Sequence, residues 1–366
     1  MVTLTEVLHA VNVLAPPHYA AAWDKVGLQI GDPESQVQSA VVTLDASEQC
    51  IAFAADRGAE CIVAHHPLIW DPLKSVTTST SSGAKVLQML RDQISLIVAH
   101  TNWDAAPGGI NDTLAQSIGL RDISPFGEAS TVFQFKLVVF TPMNTSEAIL
   151  NALSAAGAGR IGVYERCAFL TEGTGTFKPG QGANPVIGQV GKIEVVPEVR
   201  IEMLVKQPAL SQVLRTLHEA HTYEEPAFEL IPLEPAPTMP IGRVGTLEEP
   251  MDFIDFSAMC EREWQVRAMR FGPRSKEIKK VAIVGGGAGN CWQEAKASGA
   301  DCFISGEFKH ADIIEASQDD FCLLEAGHFA TEQPGMAAMC GSLKKLIPSV
   351  TWHLYTPPTG ESGRGW

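Results

Sequence analysis

Five side chains with metal-binding chemistry stand at the ends of three apolar, strand-like stretches. They are His65, His66, Asp104, His328 and Glu332, in the phrases VAHHPLIW, AHTNWD and AGHFATE. Imidazole and carboxylate ligands without a thiolate suit borderline divalent cations such as Zn, Mn, Fe, Co or Ni. One histidine at a strand end would mean little, but three such ends together predict a metal centre.

The adjacent histidines leave two arrangements open. Neighbours on a regular strand point to opposite faces, so both reach one metal only if the strand ends there, which Pro67 favours. Alternatively, His65 and His66 bind two different metals. A core histidine beside a surface histidine is the purely structural alternative.

The two carboxylates can each bridge a pair of cations, which an imidazole cannot do. Asp104 precedes a break at residues 107–109, where a capping or turn aspartate is the structural alternative. Glu332 follows His328 by four residues, about one helical turn. Thr331 is predicted to cap a last helix that ends before Pro348. Glu332 would then lie in its first turn, where it could also merely complement the helix dipole.

Three further polar residues are candidates for proton transfer or substrate binding. His100 is either a supporting histidine or a group near the reacting ligand, and Glu307 and His310 follow the strand-like stretch 301–305. The glycine run at 285–289 resembles a phosphate loop, but position 290 is Asn and no Walker lysine follows. A tight strand-to-helix turn that lines the cleft is the favoured interpretation.

The segments that carry these residues alternate helix and strand patterns. Residues 1–127 and 241–366 both show this alternation, with continuously apolar strand cores. Such a pattern is typical of βαβ units in a sheet covered on both faces. In open α/β sheets, ligands lie outside the carboxyl ends of the strands, where all five candidates fall. We therefore predict that the two segments are halves of one α/β metal-site domain.

The middle segment, 128–240, has fewer ligand-like strand ends and more Gly and Pro. Its strand and helix patterns suit a β-α-β-β-α-β order, which predicts an inserted α+β ferredoxin-like domain. We locate three of its strands, in FQFKLVVFTP, VRIEMLVKQ and FELIPLE, and two helices between them. The Pro-rich stretch LEPAPTMP (233–240) is interpreted as the exit linker.

Composition limits the classes of partner. The net charge of −15 disfavours nucleic acid, although metal cations could reverse the sign locally for a polyanionic small molecule. The eight cysteines form no CxxC pair, which indicates reduced, buried thiols. No apolar run is long enough to span a membrane, and the N-terminus lacks signal-peptide features. These observations predict a cytoplasmic protein.

The phrases together resemble the GTP cyclohydrolase 1 type 2 homologue family, also called the interacting-factor-3-like family. The resemblance rests on WDKVGLQ (23–29), HHPLI (65–69), HTNWD (100–104) and GHFATE (327–332). The middle segment is similar to the PII- and CutA-like insert of the longer bacterial members, in NPVIG (184–188) and HTYEEP (221–226). Family members more often have Pro at the position of Thr222.

The resemblance carries specific expectations. It implies a two-metal site with His65, His66, Asp104, His328 and Glu332 as the ligands. It also implies two similar α/β halves around a shared metal cleft, and ring-shaped homohexamers. Cyclohydrolase activity on GTP is associated with few members of the family, so the resemblance speaks for the site more than for the substrate.

Two functions of different class follow. The first is a hydrolase that acts on a nucleotide such as GTP, in which one metal lowers the pKa of a bound water and the other polarises the attacked group. His100, Glu307 or His310 would relay the proton. The alternative is a metal-binding scaffold or metal-handling regulator without turnover.

Overall fold

The computed structural model describes residues 2–127, 131–132, 134–161, 164–233, 236–237 and 239–358. The chain forms two compact units. The larger comprises Met1–Ser130 with Thr238–Trp366, and the smaller comprises Thr131–Pro237. Among the described residues, no helix is long and apolar enough to cross a membrane.

The first part of the larger unit alternates short helices with buried strands, as predicted. The side chains of Thr3 and Ser47 cap its first two long helices by accepting hydrogen bonds from the backbone N–H groups of Glu6 and Cys50. In chain order the elements are β1 (Val2–Thr3), α1 (Leu4–Leu14), a 3₁₀ turn (Pro17–Tyr19), β2 (Gly27–Ile30), β3 (Gln36–Val37), β4 (Ser39–Thr43), α2 (Glu48–Asp56), β5 (Cys61–Ala64), α3 (Ser81–Arg91), β6 (Ser95–Val98), α4 (Thr101–Ala105), α5 (Ile110–Ser117) and β7 (Arg121–Phe126).

The smaller unit has the predicted β-α-β-β-α-β order. Its elements are β8 (Thr131–Val132), β9 (Gln134–Pro142), a 3₁₀ turn (Met143–Thr145), α6 (Ser146–Ala155), β10 (Ala168–Phe177), β11 (Glu194–Lys206), α7 (Gln207–Ala220), β12 (Phe228–Pro232) and β13 (Ala236–Pro237). The four long strands pair antiparallel in the order β10-β11-β9-β12, which is the ferredoxin-like arrangement. The sequence did not locate β10, because this edge strand is mostly exposed and therefore lacks an apolar alternation.

The second part of the larger unit resumes the alternation. Its elements are β14 (Gly242–Asp252), α8 (Phe253–Trp264), β15 (Met269–Phe271), β16 (Glu277–Val284), a 3₁₀ turn (Gly289–Cys291), α9 (Trp292–Ala297), β17 (Cys302–Ser305), α10 (His310–Gln318), β18 (Cys322–Glu325), α11 (His328–Leu346) and β19 (Thr351–Leu354). The strand predicted at 301–305 is confirmed as β17, which begins one residue later.

The last helix begins earlier than predicted. It starts at His328, directly after Gly327, whose φ of 85° makes the sharp turn out of β18. The prediction that Thr331 caps this helix was wrong. Its hydroxyl lies inside the first turn and hydrogen-bonds to the carbonyl oxygen of Gly327 at 2.9 Å. His328 and Glu332 therefore both belong to the helix, one turn apart on the same face.

The larger unit contains two large sheets, each built around at least three parallel strands, beside the two-stranded pair of β1 and β3. One has the order β19-β4-β5-β6-β2, and the other has the order β15-β18-β17-β16-β14-β7. Strands β4, β5 and β6 run parallel, as do β16, β17 and β18. The halves exchange strands, because β19 pairs with β4 and β7 pairs with β14. Each of these sheets therefore contains strands from both halves of the larger unit.

Both sheets are covered on both faces. One hydrophobic core joins side chains of the two sheets, including Val63 and Ile97 from the first and Ile283 and Ile304 from the second. Separate clusters lie under α2 and α3 on one side and under α9 and α10 on the other. This layering confirms the predicted fold class, two αβα halves with a ferredoxin-like α+β insert. His65 and His66 follow the carboxyl end of β5, and His328 follows that of β18.

Candidate metal centre

The two adjacent histidines turn toward one cluster where β5 ends. The backbone N–H groups of His65 and His66 both donate to the carbonyl oxygen of Leu44, at 3.2 and 3.0 Å, which interrupts the regular strand ladder. His65 is fully buried, and the His66 side chain is 26% exposed. Their ring centroids are 5.0 Å apart. The local break thus removes the alternation that would send the two rings to opposite faces.

Glu332 lies at the middle of this cluster. Its Oε1 atom is 3.1 Å from His328 Nε2 and 3.8 Å from His65 Nε2, and its Oε2 atom is 3.2 Å from His66 Nε2. Asp104, on α4, places Oδ1 3.6 Å from His65 Nε2. The structure therefore brings all five residues of the predicted set together in the larger unit.

Each imidazole of the cluster is anchored through its Nδ1 atom. A hydrogen bond at Nδ1 fixes the tautomer of a histidine and leaves its Nε2 lone pair for a metal. His100 belongs to the same row, with its ring centroid 5.0 Å from that of His65. The Nδ1 partners are the Ala99 carbonyl oxygen for His65 (2.9 Å), Asp45 for His66 (2.9 Å), Asp24 for His100 (2.8 Å) and Glu307 for His328 (3.1 Å).

The buried polar atoms without partners and the spacing of the side chains in the cluster both fit a bound metal ion. Among the described residues, His65 Nε2 and Asp104 Oδ1 are buried without a hydrogen-bond partner, which costs about 1–3 kcal/mol for such a group. Ligand atoms about 2.1 Å from one cation lie roughly 3.0–3.5 Å apart, close to the separations around Glu332. Two groups of three, His65 with His66 and His100, and His66 with His328 and Glu332, each have ligand atoms within 4.8 Å.

Burial and neighbouring charge drive the pKa values of the two adjacent histidines apart. Burial lowers the pKa of His65 to about 3, so its imidazole is neutral and ready to bind a cation. Burial also disfavours the charged form of His66, but hydrogen bonds with Asp45 and Glu332 outweigh it and raise the pKa to about 10. A metal must therefore displace a proton from His66 but not from His65.

The two buried carboxylates are shifted in opposite directions. Burial raises the pKa of Asp104 well above its usual range, and the nearby Glu332 carboxylate adds to the effect. Burial acts the same way on Glu332, but hydrogen bonds with His328 and His66 hold its pKa below the usual range. Two carboxylates in one buried site cannot both ionise cheaply without a positive partner. A divalent cation would supply that partner.

Sequence reasoning missed Asp24 and Asp45, the carboxylates that orient two of the imidazoles. Asp45 lies two residues after the carboxyl end of β4, so its position at the same sheet edge was a usable signal. Asp24 belongs to the WDKVG phrase and gave no chemical signal of its own. Its Oδ2 atom also accepts the backbone N–H of Thr101 at 2.9 Å.

Of the two remaining candidates from the sequence, one contacts the cluster and the other does not. Glu307 contacts the cluster by accepting the Nδ1 hydrogen bond of His328, with 63% of its side chain exposed. His310 is exposed at the first residue of α10, and in the described part of the chain no hydrogen bond or ion pair joins it to the cluster. The structure thus brings His100 and Glu307 to the candidate centre and leaves His310 apart.

The glycine run after β16 approaches the cluster at very short range. A Cβ atom on Gly286, whose φ is 67°, would collide with the Glu332 carboxylate. The backbone N–H of Gly286 donates to the Thr331 hydroxyl at 3.0 Å, and that of Gly285 to Asn111 Oδ1 at 2.7 Å. These N–H groups are engaged inside the protein, so the run acts as a tight turn that lines the centre.

A cavity of about 840 Å³ opens beside His66 and His328. Its wall includes Lys85, a half-buried cation on α3, and the aromatic rings of Phe329 and Tyr355. The volume falls in the range of small-molecule sites, roughly 300–1,000 Å³. The candidate centre therefore has room for a ligand on this side.

Comparison with known proteins agrees with the motifs. A profile of the Duf34/NIF3 (NGG1p interacting factor 3) family matches residues 2–357. The chain belongs to this family. The resemblance inferred from the sequence phrases is thus confirmed over nearly the whole chain.

Several similar relatives of this Duf34/NIF3 protein carry one name, "GTP cyclohydrolase 1 type 2 homolog". The relative from Halalkalibacterium halodurans is 36% identical over 316 residues, covering 86% of this chain and 85% of the relative. The Bacillus subtilis relative is 35% identical over 327 residues, covering 89% and 88%. The Mycobacterium leprae relative is 34% identical over 354 residues, covering 94% and 90%.

Solved structures give the same family. A Bacillus cereus protein described as related to NIF3 is 32% identical, with a TM-score of 0.67 and 98% of each chain covered. The Staphylococcus aureus protein SA1388 is 26% identical, with a TM-score of 0.66, covering 98% of this chain and 97% of its own. The architecture described above is thus similar, along nearly its full length, to structures of this family.

Proposed function

We propose that this Duf34/NIF3 protein binds two divalent metal ions and hydrolyses a nucleotide with them, in a GTP cyclohydrolase-like attack on the guanine ring. The proposed ligands are His65, His66, Asp104, His328 and Glu332. The observation that carries the proposal is the row of imidazoles whose Nδ1 atoms are all hydrogen-bonded while the Nε2 atoms of His65, His66 and His328 lie near Glu332.

Bound metals would supply a water of lowered pKa and a positive charge on the group that is attacked, and Zn, Mn, Fe, Co or Ni suits the ligand set. Glu332 contacts three imidazoles and is therefore the carboxylate best placed to be shared between two ions. Asp104 is the second shared carboxylate, on the His65 side. The Nδ1 partners hold the rings in position.

His100 is the proposed proton carrier. Its Nδ1 atom bonds to Asp24, whose side chain is fully buried. Burial would raise the pKa of Asp24, but its hydrogen bonds with His100, Thr101 and the backbone of Lys25, together with the charge of His100, outweigh burial and lower the pKa, so the carboxylate stays ionised. An ionised carboxylate at Nδ1 stabilises the imidazolium that forms when Nε2 accepts a proton. Glu307, through its contact with His328, is the second candidate.

A nucleotide substrate is supported by the name of the relatives and by the cavity beside His66. The Lys85 ammonium lies in the cavity wall, where it can contact a phosphate. The overall charge of −15 opposes a polyanion, and two bound cations would reverse that effect locally.

The decisive experiment measures GTP consumption by metal-loaded protein. Wild type is expected to consume GTP, and His328→Ala is expected to lose this activity because it removes a ligand and the contact with Glu332. His9→Ala, an exposed histidine on α1, is the matched control and should behave as wild type. Equal background consumption by wild type and His328→Ala would reject turnover and favour the metal-binding scaffold.

We further propose, from the family resemblance, that copies of the chain assemble into a ring-shaped homohexamer. Light scattering at low micromolar concentration should then give a mass several times 39.3 kDa. A monomer mass across a dilution series would reject the ring and leave the metal centre unaffected, because all proposed ligands lie within one chain.

The proposed domain boundaries are 1–127 and 241–366 for the two halves of the metal-site domain, and 128–240 for a PII/CutA-like insert. Strand pairing supports an insertion, because Phe126 in β7 is the antiparallel partner of Gly242 in β14. The two ends of the flanking chain therefore lie side by side, as in a β-hairpin.

Deleting residues 128–240 and bridging 127 to 241 with two Gly/Ser residues should leave a folded, metal-binding protein. The strands β7 and β14 would become a hairpin with a short loop, and every proposed ligand is retained. Circular dichroism melting and metal content per chain are the measurements. Wild-type protein is the reference, and a soluble deletion variant that binds no metal would show that the insert is needed to build the site.

A further inference from the structure

Two tryptophans are exposed, whereas the other tryptophans that the structure describes are buried. The sequence has seven, and of the six in the described residues Trp103, Trp264, Trp292 and Trp352 are buried. Trp23 and Trp70 are 57% and 45% exposed, and their ring centroids lie 5.7 Å apart at an interplanar angle of 43°. Single exposed apolar residues are ordinary, but two adjacent exposed indoles indicate a recognition surface.

The Trp23–Trp70 pair lies next to the candidate metal centre. The ring of His100 contacts both indoles edge-on, with centroid distances of 6.2 Å to Trp23 and 6.1 Å to Trp70. The His100 ring is in turn 5.0 Å from His65 and 5.7 Å from His66. A ring that rests on the indoles is therefore one imidazole away from the proposed ligands.

Hydrogen bonds hold the backbone beside both tryptophans. Next to Trp23, Asp24 bonds to His100 and to the backbone N–H of Thr101. Next to Trp70, the backbone of Ile69 makes two reciprocal hydrogen bonds with the Gln29 side chain, at 2.9 and 3.0 Å. The indoles are thus presented by positioned segments, and such preorganisation lowers the entropic cost of binding a ligand.

We propose that Trp23 and Trp70 form a stacking subsite for a planar heteroaromatic ring, so that the substrate class is a ring-bearing nucleoside or nucleotide. The inference rests on the proposed function, since it places that ring beside the metal pair. A third ring clamped between two parallel ones needs centroids about 7 Å apart. The indoles are closer than that and tilted, so the ligand ring stacks on an exposed indole face.

The alternative ligand for an aromatic pair is an organic cation. The proposed metal ions repel a cation, and this favours a neutral ring. The remaining alternative is a second copy of this chain that covers the pair. Both alternatives are outcomes of the test.

The test measures binding of guanosine to the metal-loaded full-length protein by titration calorimetry. Trp23→Leu and Trp70→Leu are each expected to weaken guanosine binding by about fivefold or more, since stacking on an aromatic side chain is worth that much per base. Trp70→Phe keeps a ring and should retain most of the affinity. Leu73→Ala, an exposed apolar residue of the same loop, is the control and should bind as wild type.

The outcomes separate this inference from the proposed hydrolysis. Guanosine binding that needs both indoles supports the subsite even if no GTP is consumed. Absence of guanosine binding by wild type, or equal binding by the Leu variants, overturns it. Loss of tetramethylammonium binding instead of guanosine binding in the Leu variants overturns it in favour of a cation cage. A changed mass of the Leu variants in light scattering, with unchanged guanosine binding, overturns it in favour of a subunit contact.

Discussion

Replacing Glu332 by alanine is expected to remove more than one metal equivalent per chain, the largest loss from any single substitution at the centre. The Glu332 carboxylate lies within 3.8 Å of Nε2 of His65, His66 and His328, so both proposed ions lose a shared ligand together. Elemental analysis of protein purified without added metal gives the count. The same measurement identifies the native metal.

Three matched variants sharpen this result. Asp104→Ala should also lose more than one equivalent, whereas His65→Ala removes a ligand of one ion and should lose less. Glu315→Ala, an exposed carboxylate on α10, is the control and should keep the wild-type count. A full complement of metal in Asp104→Ala would remove Asp104 as a bridging ligand, and the same result for Glu332→Ala would reject the proposed centre.

The affinity of the metal-free protein for Zn²⁺ is expected to rise about tenfold per pH unit between pH 7 and 9. Hydrogen bonds with Asp45 and Glu332 raise the pKa of His66 to about 10, so this imidazole carries a proton throughout the window. The metal needs the neutral ring, and each ion bound there releases that proton. An ordinary imidazole, with a pKa of about 6.5, would give no such rise above neutrality.

The raised pKa of His66 also makes the stability of the metal-free protein depend on pH. A histidine whose folded pKa is raised stabilises the metal-free fold fully below about pH 6.5, and this contribution is lost as the pH rises through about 10. Competition with a chelator at fixed free Zn²⁺ measures the affinity at each pH. His66→Gln should flatten the rise, while His65→Gln should weaken binding and leave the slope. A constant wild-type affinity from pH 7 to 9 would contradict the prediction.

The interpretations that came from the sequence alone depend on local properties of the chain. An apolar run that ends in His65-His66-Pro67 indicates metal binding by its residue types alone. The four-residue spacing of His328 and Glu332 keeps the two residues about one helical turn apart, although the helix begins at His328 and not after Thr331. Hydrophobic periodicity also located many of the buried strands and helices, because their burial leaves a pattern in the residues. The exposed edge strand β10 left none and was missed.

Features that join distant parts of the chain were decided by the tertiary structure. Asp45 is 21 residues from His66, and Asp24 is 76 residues from His100, so neither partnership leaves a spacing signal. The exchange of β7 and β19 between the two sheets is likewise non-local.

The sequence by itself therefore determined the types of the candidate ligands, the strands that they follow and the class of fold, since side-chain chemistry and hydrophobic period are encoded residue by residue. Only the tertiary structure decided which Nδ1 atom each carboxylate holds, and that Trp23 and Trp70 meet beside His100. Those contacts depend on the pairing of strands far apart in the chain, and one sequence does not specify that pairing locally.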